Sequence, residues 1–317
     1  MKTAFIFPGQ GSQKVGMGAD LHRKYPVARK TFEEADEALG FSISKLMLEG
    51  PGEELAETRN TQPAILTCSV AYLRVLRQHG IDACAAAGHS VGEYAALVAT
   101  GALEFGDAVR LVYKRGMYMQ EAVPLGVGGM TAVLLLPADK VRELCARVST
   151  TDAVVEPAGY NSPLQTACAG HLRALERLEA LVGEEGGTCK RLKVSAPFHS
   201  SLLAPAAEAL ARELEKIEFK DPRFPYVANV DVSWVDSAAG IRSRLIEQVQ
   251  KPVLWEQTIR ILAQHDIDRY IEVGAGRTVA GLVKRIDRRM KVQCTDHPPT
   301  FASLLSGGTP SESSAAS

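Results

Sequence analysis

The chain opens on a short apolar run, Thr3 to Phe7 (TAFIF), that stops at Pro8-Gly9, the pattern of a buried strand feeding a glycine-rich turn, PGQGSQ. Helical periodicity follows over 27–38 and 62–79, the latter carrying Ile65, Leu66, Val70, Leu73 and Leu76 on one face. Small residues at 83–87 suit a strand in a crowded core, and 91–100 reads as a helix of Ala, Leu and Val. From Gly126 the pattern changes. Strand 130–136, helix 138–148, strands 153–157 and 165–169, helix 171–185 and strand 188–194 give the order β-α-β-β-α-β, which is ferredoxin-like. Helix 201–216, strand 226–230, helices 240–249 and 253–264, strand 268–273 and helix 278–289 then resume a larger α/β unit. The expected organisation is a discontinuous α/β domain, 1–125 with 196–290, and a small domain, 126–195, inserted into it. The stretch 306–317 (SGGTPSESSAAS) carries too few apolar residues to order itself. No internal repeat is visible.

Composition narrows the function classes. At 317 residues with 46% hydrophobic and 23% charged content, the chain can bury one large core or two unequal ones. A net charge of −1 provides no global attraction to nucleic acid or to an anionic membrane. The N-terminal apolar run is too short for a signal-peptide core, and no run approaches the roughly 18 apolar residues of a membrane span. Six cysteines, at 68, 84, 145, 168, 189 and 294, show neither CxxC nor zinc-ligand spacing. Reduced thiols in the cytoplasm, and no metal, are the expectation.

Gly88-His89-Ser90-Val91-Gly92 fits GxSxG at a strand–turn–helix junction, the setting of a nucleophile elbow. Such a turn lifts the serine hydroxyl clear of the backbone and puts the next N–H, that of Val91, at a helix N-terminus, where it can stabilise an oxyanion. The turn after the first strand can aim a second N–H at the same place, with Gln10 as its donor. That turn is not a phosphate loop, because neither GxxxxGK[ST] nor GxGxxG fits it. Of the seven histidines, 22, 79, 89, 171, 199, 265 and 297, only His199 lies in an apolar loop at the junction of the two units. Two readings stand for it: general base, or packed loop histidine. His89 adjoins the serine, but neighbours on a tight turn point apart. Arg115 sits on a helix with Val112 and Met119. In a cleft its guanidinium would grip a carboxylate bidentately; on a solvated face it would be an ordinary charge, as Lys114 beside it is read.

Taken together these segments resemble the malonyl-CoA:acyl-carrier-protein transacylase family of fatty acid and polyketide synthesis. The resemblance runs through FIFPGQGSQ (5–13), TQPAI (61–65), GHSVGEYAAL (88–97), RGMYMQEAVP (115–124), YNSPLQ (160–165), APFHS (196–200), EQVQKPVLW (247–255) and IEVGAGRTVAGLVKRI (271–286). It implies an α/β-hydrolase-like large domain with the ferredoxin-like small one. It also implies Ser90 as nucleophile, His199 as base, the amides of Gln10 and Val91 as oxyanion hole, and Arg115 as partner of the malonyl carboxylate. Gln248 corresponds to the residue that orients the histidine through a carbonyl oxygen, so the pair works without an acidic third member. Leu164 and Ala275 depart from the glycine and proline common in the family, and Phe198 resembles the phenylalanine of malonyl-selective acyltransferases. The implied reaction is ping-pong transfer from malonyl-CoA to the phosphopantetheine thiol of acyl carrier protein, by a monomer with no metal or bound cofactor. Lys190, Arg191, Lys193 and the segment 284–291 (KRIDRRMK) are candidates for docking an acidic carrier. An acyl-thioester hydrolase of the same fold, and a transferase serving a polyketide or malonate decarboxylase carrier, are the alternative readings.

Overall fold

A computed structural model describes residues 2–194 and 196–307. Ten strands form two sheets among these residues: β1 (Thr3–Phe7), β2 (Ala85–Gly88), β3 (Gly128–Leu134), β4 (Val155–Ser162), β5 (Gln165–His171), β6 (Thr188–Arg191), β7 (Tyr226–Val227), β8 (Trp234–Val235), β9 (Arg269–Glu272) and β10 (Val292–Cys294). The larger sheet has the order β10-β9-β1-β2-β7-β8 and is parallel except for β8.

Every residue of β1 is buried, because helices cover both faces of the sheet. Phe5 and Phe7 enter one core with the helix Thr58–Gln78, while Ala4 and Ile6 enter another with Trp255, Ile259 and Val283. A two-sided burial of this kind explains why β1 reads as an unbroken apolar run. β2 is Ala-Ala-Ala-Gly, and its small side chains let the flanking helices approach the centre of the sheet.

The second sheet, ordered β4-β5-β3-β6, is antiparallel throughout and carries its own core under the helices Ala138–Val148 and Leu172–Glu184. Its edge strand β4 is stitched to the larger unit: Tyr160 donates to the Val253 carbonyl at 2.9 Å and Val253 donates back to Ala158 at 3.0 Å.

Several boundaries differ from the sequence reading. The strand expected at 130–136 is β3, which starts two residues earlier on a Gly-Gly pair that hydropathy does not mark. The strand expected at 153–157 runs on to Ser162 through two irregularities in its pairing with β5. That expected at 188–194 ends at Arg191. That expected at 226–230 ends at Val227, because Ala228 turns back to Ser233 and Asn229 leaves the sheet. Helix 201–216 is a short 3-10 turn, Ser201–Leu203, followed by Ala204–Leu214. Helices Ala19–Lys24, Ile43–Glu49, Gly52–Ala56 and Pro298–Leu305, and strands β8 and β10, carried no periodic signal long enough to be read. Of the stretch expected to stay unordered, Ser306 and Gly307 form the turn that ends the last helix, and 308–317 lie outside the described residues.

Candidate active site

Ser90 stands between β2 and the helix Gly92–Thr100 with φ of 53°, a left-handed conformation that side chains rarely adopt. Close packing holds it there. A Cβ on Gly92 would lie 2.4 Å from the Phe7 carbonyl oxygen, and one on Gly88 would lie 2.0 Å from Gly92 itself. Gly92 is therefore required by contact with the β1 turn, and Gly88 by the close return of the elbow's own backbone. Asn229 completes the brace. Its Oδ1 accepts from the Ser90 N–H at 2.8 Å and its Nδ2 donates to the Gly88 carbonyl at 2.7 Å. A strand break at residue 228 is what frees this side chain. Nothing in the sequence pattern singled it out.

His199 also has positive φ, 60°, and lies in the buried loop that follows β6. Its Nε2 is 2.7 Å from Ser90 Oγ, and its Nδ1 is 2.7 Å from the backbone carbonyl oxygen of Gln248. A carbonyl can only accept, so Nδ1 carries the hydrogen and Nε2 faces the serine as a lone pair. Burial first, and the charge of Arg115 second, push the imidazole down to about 3, so it is neutral at physiological pH. The serine hydroxyl donates to a free base. Of the two readings open for His199, the general base is the one this geometry fits.

Arg115, on the helix Phe105–Glu121, is 1% exposed, not on a solvated face. Its Nη1 donates to Gln62 Oε1 at 2.8 Å, and its Nη2 donates to Gln248 Oε1 at 2.8 Å and to Ser90 Oγ at 3.3 Å. The Tyr94 ring lies 5.6 Å from the guanidinium carbon. Lys114, expected to be an ordinary solvated charge, is half-exposed and pairs with Glu213 at 2.7 Å. Gln248 thus plays two parts: its backbone sets the histidine tautomer and its side chain holds the arginine. Gln62, in the segment TQPAI, is the arginine's other support, a role that no sequence pattern marks.

Ser90, His199 and Arg115 open onto a cleft of about 550 Å³ between the two sheets, lined also by Gln10, Val91, Phe198 and Asn161. Val91 opens the helix after the serine, where first-turn N–H groups lack intrahelical partners. Gln10 sits in the β1 turn on the same cleft. His89 points away from Oγ: its Nε2 meets Asn161 Oδ1 at 2.8 Å and its ring packs edge-on against Trp255. The cleft therefore brings together a serine hydroxyl, a neutral imidazole, a buried cation and two candidate oxyanion donors, groups able to support acyl transfer of a carboxylated acyl group.

Comparison with known proteins gives the same class. A model of the acyl transferase domain matches residues 4–289. The malonyl CoA-acyl carrier protein transacylase of Escherichia coli (strain K12) is 45% identical over 306 residues, covering 95% of this chain and 98% of that protein. That of Bacillus subtilis (strain 168) is 43% identical over 303 residues, 95% of each chain. The chain belongs to the malonyl CoA-acyl carrier protein transacylase family. Among solved structures, the transacylase of Coxiella burnetii superposes with a TM-score of 0.94 at 41% identity, over 96% of this chain and 97% of that one. A malonyl-transacylase in complex with a type II PKS acyl-carrier protein gives 0.94 at 40% identity, over 97% and 100%.

The rim of this transacylase-family cleft is basic, with Lys193, Arg277 and Arg285 lining it. Lys190, Lys284, Arg285 and Arg288 line an adjoining groove of about 980 Å³ beside the exposed Leu135 and Leu164. The structure divides the expected docking residues. Arg191 is paired with Glu179 and Arg289 with Asp287, both at 2.8 Å, so their charge is already partnered. Leu164, one of the two family departures, is solvent-facing in the β4–β5 turn, and Ala275, the other, is buried. Among the described residues no His/Cys/Asp/Glu cluster could hold a metal ion, and no helix is long and apolar enough to cross a membrane.

Proposed function

We propose that this protein transfers a malonyl group from malonyl-CoA, through an ester on Ser90, to the phosphopantetheine thiol of an acyl carrier protein. The observation that carries the reading is the buried Arg115 guanidinium 3.3 Å from Ser90 Oγ. A cation held in a dry pocket beside a nucleophile selects acyl groups that bring their own anion. Gln62 on Nη1 and Gln248 on Nη2 each take one hydrogen, so each terminal nitrogen keeps one for a carboxylate once Oγ is acylated.

In the first half-reaction His199 Nε2 takes the Ser90 proton as Oγ attacks the thioester carbonyl. The oxyanion is met by the backbone N–H groups of Gln10 and Val91, and collapse expels coenzyme A, which takes the proton back from His199. In the second, the carrier thiol gives its proton to His199, attacks the ester, and leaves Ser90 to be reprotonated. Each step uses only these side chains and the two substrates. A malonyl carboxylate on Arg115 also neutralises the charge that depresses His199, so the correct substrate strengthens its own base.

In this reading residues 1–125 and 196–290 form one α/β-hydrolase-like domain and 126–195 a ferredoxin-like insertion. The order of the antiparallel sheet, β4-β5-β3-β6, supports the second assignment. The protein acts in the cytoplasm as a monomer, and the carrier docks on the groove beside Lys190, Lys284 and Arg288. The test is partitioning of isolated malonyl-enzyme between holo carrier and water. Transfer to the carrier that outruns hydrolysis by orders of magnitude supports a transferase; loss to water at a similar rate makes the protein a hydrolase.

A further inference from the structure

Glu93 lies three residues after the nucleophile, 1% exposed, in the first turn of the helix Gly92–Thr100. A carboxylate in that position would ordinarily face solvent or cap the helix. Here Oε2 accepts from Gln248 Nε2 at 2.7 Å and from the Asn229 N–H at 3.2 Å, while Oε1 has no partner among the described residues. The other end of the same Gln248 amide accepts from Arg115. Cation, amide and carboxylate therefore form a chain, Arg115–Gln248–Glu93, closed entirely inside the protein. The two charges fix the amide: its oxygen must face the guanidinium and its nitrogen the carboxylate. The same Nε2 also donates to the Ser90 carbonyl at 3.1 Å.

We infer that Glu93 is a positioning residue for selectivity: through Gln248 it supplies the counter-charge that balances Arg115 until a substrate carboxylate takes over that role. A buried cation with no anion nearby is strongly disfavoured, and one with a permanent direct partner would have no affinity left for substrate. An anion one amide away satisfies both demands. It stabilises the arginine in the free enzyme and leaves the guanidinium edge beside Ser90 open to exchange. When malonate arrives, the pocket holds two anions and one cation, and Glu93 then works against the substrate. The balance limits how tightly malonyl is retained, which suits a group that must be passed on.

The inference rests on the malonyl reading of the site, and the experiment separates the two. Glu93→Gln keeps an acceptor for Gln248 Nε2 and the Asn229 N–H and removes only the charge. The readout is the acylation specificity constant for malonyl-CoA and for acetyl-CoA, with KM and kcat resolved. Removing a unit charge this close, in a medium of effective dielectric near 20, should raise the malonyl-to-acetyl ratio by about threefold or more, through a lower malonyl KM. Acetyl constants should stay within about twofold.

Where Glu93→Gln does not fold, the wild type supplies the measurement. Burial pushes Glu93 up to about 7, against the bonds from Gln248 and Asn229 and the charge of Arg115. The groups that face it stay fixed around neutral pH. Arg115 remains charged, Tyr94 is pushed up to about 12 and Tyr226 well above its usual value by burial. Asp231 lies below its usual range despite its burial, because Ser233 and Arg244 hydrogen-bond it. The malonyl-to-acetyl ratio should therefore fall as pH rises through about 7, since the competing carboxylate ionises. A ratio changed less than about threefold in a folded Glu93→Gln, or a ratio flat across that range when the variant does not fold, overturns the inference. A wild type that never accepts malonyl contradicts the function itself.

Discussion

Replacing Arg115 by alanine tests why this pocket should prefer a carboxylate. The side chain is 1% exposed and contributes three hydrogen bonds, to Gln62, Gln248 and Ser90, besides its contact with Tyr94. With alanine there, a malonyl carboxylate would be desolvated with no cation to receive it. Truncating one partner of a buried charge pair loses about 2–5 kcal/mol, so the malonyl specificity constant should fall roughly 30- to 5,000-fold. Acetyl brings no charge and should react as well as before or better. Loss of the arginine also lifts the second-largest depression of His199, which makes the base stronger for any acyl group. The Gln62 and Gln248 acceptors lose a donor, a stability loss of about 1–3 kcal/mol each that falls on both substrates alike. Arg115→Lys, which keeps the charge without the fork, should recover part of the malonyl rate. The assay is rapid-quench acylation by malonyl-CoA and acetyl-CoA in wild type and both variants. Equal losses for the two substrates in Arg115→Ala would make the arginine a structural residue with no part in selecting malonyl.

Three further outcomes are expected. His199→Ala should slow acylation about 10²- to 10⁴-fold, and because the wild-type imidazole is held at about 3, the specificity constant should not decline as pH is lowered from about 8 to 5; an acid limb near the ordinary histidine value would contradict the buried neutral base. Asn229→Ala removes both bonds that brace the elbow and should lower stability by about 1–3 kcal/mol, read as a drop in Tm, with a slower acylation that excess malonyl-CoA does not restore. Charge reversal at Lys190, Lys284 or Arg288 should raise the KM for carrier and spare acylation by malonyl-CoA, whereas reversal at the partnered Arg191 or Arg289 should have a smaller effect.

The chemistry of this site was more legible than its support. Ser90 could be read because an elbow needs glycines on both sides, and glycine leaves a local signature. His199 and Arg115 stood out only as one polar residue in an apolar loop and one charge on an apolar stripe. The roles proposed for them depend on contacts 109 and 25 residues away in sequence, which periodicity does not carry. Asn229, Gln62 and Glu93 were invisible for a different reason. Each is an ordinary polar residue whose burial follows from tertiary packing: Asn229 from the early end of β7, Gln62 from the helix face turned to the cleft, Glu93 from the tight seat of its helix against β1. Strands were legible where they are long, apolar or glycine-bounded. Strands β8 and β10, two and three residues long, exist because a neighbour pairs with them and leave no pattern of their own.

Whether a malonyl group resides on Ser90 between two thiols can be read by intact mass spectrometry with peptide mapping. Purified protein mixed with malonyl-CoA should gain the mass of one malonyl group, mapped to the peptide containing Ser90, and lose it when holo acyl carrier protein is added. Ser90→Ala should show no gain. A gain that persists in Ser90→Ala, or a wild type that stays unmodified, would rule out Ser90 as the carrier of the malonyl group.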